Sequence, residues 1–184
     1  MPRNRNPTTP TPPPSPRSAA ASRVSLSIVI MPGQANFYGT LHGGVMLRLA
    51  DECGAIAALR HVGHGQITTA AMDSMIFLGP VFVGERVEVI AEVTHVGRSS
   101  LESRIEFFAE PLERADRRKI GVGYGLYVAL DDQAQRQERV PPLLSETAAD
   151  HRRDEFARAR QVIRLARRAE ARAEAQAERE QRDS

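Results

Sequence analysis

Apolar and polar residues alternate in several short segments of this chain, as they do in strands that bury one face of a sheet. The clearest segment is 86–95, where Val87, Val89, Ala91 and Val93 alternate with mostly polar neighbours. Glycine, proline or charged turn residues separate these segments from one another. The pattern predicts five strands, at 25–31, 67–74, 86–95, 99–110 and 119–130. A sheet with one buried face of this kind is typically antiparallel.

Residues 45–59 predict a helix, and its apolar side chains lie almost all round the helix axis. Such a helix is expected inside a core. In the last strand, Gly121, Gly123 and Gly125 share one face, and a bare face permits close approach and strong curvature. The chain is therefore predicted to have an α+β fold, in which a curved antiparallel sheet of five or six strands wraps around one central helix.

Composition divides the chain into three segments. Residues 1–23 hold seven of the twelve prolines and predict a disordered tail, because such a segment buries too little apolar surface to offset its ordering entropy. Residues 24–144 are the predicted folded domain, which closes at Pro141-Pro142. Residues 145–184 hold ten Arg and nine acidic residues and predict a solvated helical extension. A docking helix for a partner subunit is the alternative.

Charge and cysteine content narrow the classes of function. A formal charge of +2, from 25 basic and 23 acidic residues spread along the chain, does not indicate a nucleic-acid partner. No apolar run approaches the roughly 18 residues of a membrane-spanning helix, so no membrane insertion is expected. The single Cys53 cannot form an internal disulfide, and the N-terminus lacks the features of a secretory signal. A cytoplasmic location is expected.

The start of the central helix has the features of a reaction site. Gly43 and Gly44 follow His42 at this point, and the free N–H groups of a helix N-terminus can stabilise a developing oxyanion. Because Gly43 and Gly44 have no side chains, a substrate carbonyl can come close to these N–H groups. The alternative is that the two glycines only make a tight junction, with His42 as a turn residue bonded to the backbone.

Asp51 is the sharper signal within this helix. It lies in an otherwise apolar stripe that runs from Leu47 to Ala58, and burial of a carboxylate is costly unless the group is used or paired. Arg48 can form an ordinary ion pair with one nearby acid, either Asp51 or Glu52. We assign the pair to Glu52 and predict that Asp51 is the catalytic group.

A series of short motifs occurs in one order between residues 28 and 130. In sequence they are Asn36, His42-Gly43-Gly44, Asp51-Glu52, Gly54, Arg60-His61, Met72-Asp73-Ser74, Phe77-Leu78, Pro80, Val83-Gly84 and Val96-Gly97-Arg98-Ser99-Ser100. Together they resemble the signature of hot-dog-fold acyl-CoA thioesterases, the group of the YciA-like bacterial enzymes and the cytosolic acyl-CoA hydrolases of animals. The ordered series is more specific than any single motif.

This resemblance implies an enzyme that hydrolyses the thioester of an acyl-CoA to a free carboxylic acid and coenzyme A. The family's catalytic pair falls on Asn36 and Asp51, with Asp51 acting as either base or nucleophile. The resemblance also implies a site at a subunit interface, with Asn36 and Asp51 from different subunits. A homo-oligomer is therefore expected, either a dimer or a trimer of dimers. Gly54 would allow another chain to approach the helix beside Asp51.

Two groups of residues are predicted to contact the phosphates of coenzyme A. They are Arg98, Ser99 and Ser100 in a turn between strands, and Arg60 with His61 at the end of the central helix. For Arg60 and His61, favourable interaction with the helix dipole is an equal alternative.

No cofactor is expected, because coenzyme A is part of the substrate and product. No spacing of Cys, His, Asp and Glu predicts a metal site. Cys53 points to a different face of the helix from Asp51, so it is expected to be a buried structural residue rather than a nucleophile.

Two other functions remain open at the level of sequence. A hot-dog hydratase or dehydratase would be expected to pair a catalytic His with its acid, and His42 is the one well-placed candidate. A non-catalytic acyl-CoA-binding protein is the second alternative. It is disfavoured as a regulator because neither tail has a helix-turn-helix pattern.

Overall fold

The computed structural model describes residues 14–131, 133–137 and 139–182. In chain order the elements are β1 (Arg17–Ser18), α1 (Ala19–Ser22), β2 (Val24–Val29), a 3-10 turn (Pro32–Gln34), α2 (Gly43–Val62), β3 (Gln66–Phe77), β4 (Glu85–Val96), β5 (Ser100–Pro111), β6 (Arg118–Leu130), β7 (Leu143–Leu144) and α3 (Ala148–Arg182). The five predicted strands are confirmed as β2 to β6, with ends that differ by a few residues.

These five strands form one antiparallel sheet in the spatial order β2-β4-β5-β6-β3. The alternation predicted for β4 is confirmed, since Val87, Val89, Ala91 and Val93 are buried on the inner face. The glycine face of β6 is also directed inward. A Cβ on Gly121 would lie 3.3 Å from the Cε of Met46 on α2. The predicted curved sheet around one helix is therefore the observed architecture.

Helix α2 is the central helix, and it is longer than predicted at both ends. It ends at Val62, and the next residue, Gly63, caps it with a φ of 86°, a left-handed conformation that favours glycine. Most of its apolar residues lie in the core, but Leu47, Ile56 and Leu59 remain exposed. The helix is thus apolar almost all round, as predicted, yet several of its apolar side chains are not covered by this chain.

The N-terminal segment is more ordered than its composition suggests. Strand β1 pairs in parallel with β7, and the Arg17 guanidinium donates to the carbonyl oxygens of Arg60 and His61 at 3.0 and 2.8 Å. The buried Ser22 hydroxyl accepts a hydrogen bond from the Val93 N–H at 2.9 Å. For residues 14–23 the prediction of a disordered tail is therefore wrong, because specific polar contacts anchor the segment. Residues 1–13 lie outside the described residues.

The predicted C-terminal helix is present as α3, but only its second half is fully exposed to solvent. Its first half lies on the outer face of the sheet, with Ala157 buried and the Arg160 guanidinium stacked 3.7 Å from the centre of the Tyr124 ring. Glu102 of β5 is wholly buried beneath it and accepts hydrogen bonds from Arg160 and Arg164. From residue 165 to 182 the side chains are exposed, as expected for a solvated extension.

Among the helices of the described chain, none combines the length and the apolar content needed to span a bilayer.

Candidate active site

Asp51 lies in the first half of α2 and is only partly buried. Its Oδ1 accepts a hydrogen bond of 2.7 Å from the hydroxyl of Thr69 on β3. Within the described residues, Oδ2 has no hydrogen-bond partner. The carboxylate is thus oriented by one donor and keeps a second oxygen available. Sequence reasoning missed Thr69, because its position depends on the register of β3, which is interrupted by a bulge between Thr69 and Ala71.

The neighbouring acid has the structural role assigned to it from the sequence. Glu52 accepts a hydrogen bond of 2.7 Å from Arg48, and both side chains are well exposed. This is an ordinary pair of residues four apart on a helix surface. The prediction that Arg48 pairs with Glu52, and not with Asp51, is confirmed.

Tyr127 of β6 supports the helix at Asp51 from inside the core. Its hydroxyl donates to the Asp51 carbonyl oxygen at 3.3 Å, and burial raises the pKa of this phenol, which therefore stays protonated at neutral pH. A Cβ on Gly54 would lie 2.2 Å from the Tyr127 oxygen. The space at Gly54 is thus filled by Tyr127 of the same chain, and the expectation that it admits another chain is wrong.

His42, Gly43 and Gly44, which were predicted to bind the substrate carbonyl, have different roles at the start of α2. The Gly44 N–H donates to His42 Nδ1 at 2.9 Å, so His42 caps the helix. This agrees with the alternative prediction, in which His42 is a turn residue bonded to the backbone. The N–H groups of Val45 and Met46 donate to the His42 carbonyl oxygen at 2.9 and 3.3 Å. Of the first four N–H groups, only that of Gly43 has no partner in the described part of the chain.

Asn36 organises the loop that leads to α2. Its Oδ1 accepts hydrogen bonds from the N–H groups of Tyr38 and Thr40 at 2.9 and 3.2 Å, and its Nδ2 donates to the Thr40 hydroxyl at 3.0 Å. Phe37 and Tyr38, at the tip, are almost fully exposed. No hydrogen bond joins Asn36 to Asp51 among the described residues, so one chain does not bring the predicted catalytic pair into direct contact.

The predicted triplet for coenzyme A is divided between two cavities. Arg98 lines a cavity of about 600 Å³ together with Arg139 and Arg158, and Arg158 is paired with Asp154 in the same wall. Ser100 instead lines a separate cavity of about 580 Å³. The carbonyl oxygen of Ser99 accepts from the backbone N–H of Ala129 at 2.9 Å.

Arg60 and His61 connect the end of α2 to other segments. Arg60 Nε donates to the Ala21 carbonyl oxygen at 3.0 Å. His61 is wholly buried, and its Nε2 donates to the Pro141 carbonyl oxygen at 2.9 Å. Burial lowers the pKa of the His61 imidazole, which is therefore neutral at pH 7. No atom of the His61 ring is accessible, so the ring cannot contact coenzyme A in this arrangement of the chain. The Arg17 guanidinium, bonded to the last carbonyls, supplies the positive charge that a helix C-terminus favours.

Cys53 is buried, with its Sγ 3.5 Å from the Val89 carbonyl oxygen. Burial raises the pKa of the thiol to about 11, so it is protonated and a poor nucleophile at neutral pH. Its predicted structural role is confirmed. In the residues that the structure covers, no group of three or more His, Cys, Asp and Glu side chains is placed to hold a metal ion.

Comparison with known sequences identifies similar proteins. The family model of the thioesterase superfamily matches residues 38–115. The Bacillus subtilis protein YkhA, named as an acyl-CoA thioester hydrolase, is 32% identical over 126 residues, which are 68% of this chain and 72% of YkhA. The cytosolic acyl coenzyme A thioester hydrolase of Mus musculus is 28% identical over 127 residues. The match covers 66% of this chain but only 33% of the mouse protein.

Solved structures of acyl-CoA hydrolases are similar to this chain in fold. An acyl-CoA hydrolase from Staphylococcus aureus, in complex with butyryl coenzyme A, coenzyme A and coenzyme A disulfide, has a TM-score of 0.78 at 29% identity and covers 85% of this chain and 94% of its own. A hexameric acyl-CoA thioesterase has a TM-score of 0.79 at 29% identity, with coverage of 84% and 98%. The Staphylococcus aureus hydrolase has also been solved with alanine in place of an aspartate, an asparagine or a threonine.

Proposed function

This chain belongs to the acyl-CoA thioester hydrolases of the thioesterase superfamily, and we propose that Asp51 and Asn36 carry out its reaction, the hydrolysis of an acyl-CoA to a carboxylic acid and coenzyme A. The protein has the hot-dog fold of its structural neighbours. One observation carries the assignment of Asp51: in a stripe of α2 that is otherwise apolar, its carboxylate is held by Thr69 at 2.7 Å and retains an unpartnered oxygen. We assign the activity to the domain at 24–144.

In the proposed reaction, Asp51 Oδ2 either removes a proton from the attacking water or attacks the thioester carbon itself. The Thr69 hydroxyl keeps the carboxylate in one orientation, and a protonated Tyr127 fixes the backbone at Asp51. The unpartnered Gly43 N–H is the proposed donor to the oxyanion, since the first N–H groups of a helix favour negative charge. The bond between carbon and sulfur then breaks, and the thiolate of coenzyme A takes up a proton that comes from the water and leaves as the thiol. If Asp51 is the nucleophile, water then hydrolyses the acyl–Asp51 anhydride, which releases the carboxylic acid and restores the carboxylate.

The proposed assembly is a dimer in which β3 pairs with the same strand of a second subunit. In this chain β3 pairs only with β6, so twelve residues, Gln66–Phe77, form an open edge among the described strands. Open edges are usually paired or covered. The exposed apolar side chains of α2, Leu47, Ile56 and Leu59, are further surface that subunit contacts would cover. A trimer of such dimers matches the hexameric state of a structural neighbour.

The same assembly explains the loop at Asn36. Phe37 and Tyr38 are large apolar side chains in full contact with solvent, which is typical of a surface that contacts another chain. We propose that this loop brings Asn36 to Asp51 of the second subunit. There, one Nδ2 hydrogen of Asn36 remains to orient water or the thioester, because the other is used by Thr40. In the Staphylococcus aureus hydrolase, the substituted asparagine and aspartate have the same separation along the chain as Asn36 and Asp51.

For coenzyme A, the proposed phosphate contact is Arg98, in the cavity that it shares with Arg139 and Arg158. No cofactor takes part in this proposal. A cytoplasmic location is also proposed, supported by the cytosolic mouse relative.

The first test replaces Asp51 with Asn, which keeps the shape of the side chain and removes its charge. We expect thiol release from acyl-CoA to fall by about 100-fold to 10,000-fold, the usual contribution of a general base. Glu52→Gln is the matched control, because Glu52 is the adjacent acid and its partner Arg48 is exposed. Turnover within about twofold of wild type in a folded Asp51→Asn protein would exclude Asp51 as the catalytic group.

The second test asks whether one site uses two subunits. Asn36→Ala and Asp51→Ala proteins, each inactive, are mixed under conditions of subunit exchange. A mixed dimer would contain about one intact site out of two by symmetry, so activity should return. Tagged subunits show that mixed dimers have formed. If they form and remain inactive, Asn36 and Asp51 do not act together across the interface.

A further inference from the structure

Helix α3 crosses the outer face of the sheet from β4 towards the edge strand β3. Three contacts in chain order trace this course: Arg153 with Glu92 of β4, the Arg160 guanidinium with the Tyr124 ring of β6, and Arg164 with Asp73 of β3. The strands lie in the order β4-β5-β6-β3, so successive turns of the helix reach strands nearer to the edge. The next turn, which ends at Arg168, lines a cavity with Ala70 and Ala71 of β3. Helix α3 therefore reaches the open edge of the sheet near Arg168.

The helix does not end at this edge. Residues 169–182 continue it by about 21 Å, at about 1.5 Å per residue, and their side chains are exposed. Neighbouring strands are about 4.8 Å apart, so this length would span about four strands beyond β3. In the dimer proposed above, in which β3 pairs with its copy, those strands belong to the second subunit. A two-fold axis between the two β3 strands places both copies of α3 on the same outer surface, antiparallel to each other.

One side of α3 has a symmetric arrangement of side chains, and we call it the Phe156 side. Six residues on it follow one another at steps of four, seven, four, seven and four: Arg152, Phe156, Ile163, Arg167, Glu174 and Glu178. Residues at such steps share one side of a helix. All six are exposed, Phe156 to 64% and Ile163 to 52%. The series is centred on Leu165, which lies in the turn that crosses the edge strand.

Antiparallel pairing about Leu165 would make the Phe156 side complementary to itself. Residues at equal distances from the centre then face each other, so Arg152 meets Glu178 of the partner subunit. Neither of these two side chains has an ion pair or a hydrogen bond with any described residue of its own chain. Phe156 and Ile163 would be covered by the aliphatic stems of the facing side chains. A second copy of α3 thus supplies both the missing charges and the missing cover.

The opposite side of α3 does not fit the same contact. It presents Arg158, Leu165, Arg172 and Arg179 at steps of seven, and no acid occurs in this series. Antiparallel pairing through it would place Arg172 beside Arg158 of the partner subunit, and like charges in contact are unfavourable. The charge pattern therefore selects the Phe156 side.

We propose that the two copies of α3 pack side by side and antiparallel across the dimer axis, through their Phe156 sides. This inference rests on the dimer proposed above and adds a second contact to it, on the outer face of the joined sheets. Each helix then lies on both subunits. Its own sheet holds the first half, and residues 169–182 lie over the sheet of the second subunit.

The test exchanges the charges at the two ends of the contact. Arg152→Glu and Glu178→Arg, each alone, replace two attractive pairs in the dimer by two repulsive ones. At low ionic strength, exchange between differently tagged subunits should therefore be about tenfold faster. The combined variant Arg152→Glu, Glu178→Arg restores opposite charges and should exchange within about threefold of wild type. Arg172→Glu is the matched control, because it makes the same change of charge on the opposite side of the helix. It should exchange within about twofold of wild type.

Two results would overturn the proposal. In the first, Arg152→Glu and Glu178→Arg exchange at the rate of Arg172→Glu. In the second, the combined variant exchanges as fast as either single variant, so the two residues do not face each other. A wild-type protein that sediments as a monomer would contradict this contact together with the proposed dimer. Thiol release from acyl-CoA by the same wild-type protein tests the hydrolysis separately, and its absence would contradict the proposed activity without changing the exchange rates.

Discussion

Helix α2 lies on the inner face of the sheet through apolar side chains such as Leu49, Ala50 and Cys53, which are almost completely removed from water. Helix α3 lies on the outer face of the same sheet with one buried residue, Ala157, and a set of charged contacts centred on Glu102. Two helices on one sheet are thus held by different forces. Apolar burial holds α2 along its length, whereas a few charge pairs hold the first half of α3.

The difference has consequences for how each helix responds to substitution. A close-packed apolar contact is sensitive to the volume of a side chain, because interiors have few voids. A buried charge pair is sensitive to the loss of one partner, because the other charge then remains buried without compensation. Changes in volume at α2 and changes in charge at α3 are therefore the two ways to test this comparison.

The largest effect is expected at Glu102. Glu102→Gln keeps the size of the side chain but removes the charge that Arg160 and Arg164 share. Loss of one partner from a buried pair costs about 3–5 kcal/mol, so α3 should detach far more often. Tryptic cleavage within α3 should then be at least about 100-fold faster, provided that it follows the detached fraction.

Glu170→Gln is the control for this experiment, since Glu170 is an exposed acid of the same helix. Its cleavage pattern should match that of wild type. If Glu102→Gln is cleaved at the rate of this control, charge pairs do not hold α3 on the sheet.

A smaller effect is expected at Gly54, which tests packing under α2. In Gly54→Ala the new Cβ would lie 2.2 Å from the Tyr127 oxygen, and overpacking of this kind costs about 1–3 kcal/mol. Urea denaturation measures the change, and Tyr127→Phe in the same chain should recover part of the loss. Gly33→Ala is the control, because nothing lies within 4 Å of its new Cβ. Equal stability of Gly54→Ala and wild type would show that the contact with Tyr127 is not tight.

The smallest effect is a dependence of stability on pH that originates at His61. Burial lowers the pKa of His61 below its ordinary value of 6.5, so below that value the unfolded chain binds a proton that the folded chain does not. The free energy of unfolding should therefore fall as the pH drops from about 7.5 to 5.5, by at most about 1.4 kcal/mol per pH unit. His61→Gln should show a shallower slope in urea denaturation, whereas the exposed His64→Gln should match wild type. Parallel slopes for all three proteins would assign the pH dependence to other groups.

Much of the fold and part of the site could be predicted from the sequence. The strands and α2 were predictable because their periods of two and 3.6 residues are local properties of the chain. The pair of Arg48 with Glu52 was predictable for the same reason, since residues four apart on a helix are neighbours. The placement of Asp51 in an otherwise apolar stripe of α2 also follows from the order of residues alone.

Contacts between distant segments were decided by the tertiary structure. The hydrogen bond from Thr69 to Asp51 requires the register of β3 with its bulge. The need for glycine at position 54 of α2 is explained only by the Tyr127 side chain, which comes from β6. The charged sequence of α3 predicted a solvated helix, because no residue of α3 itself indicates that its partner Glu102 lies buried beneath it on β5. Sequence periodicity reports which face of each element is apolar, whereas polar pairing between elements depends on register and orientation, which only the packed chain defines.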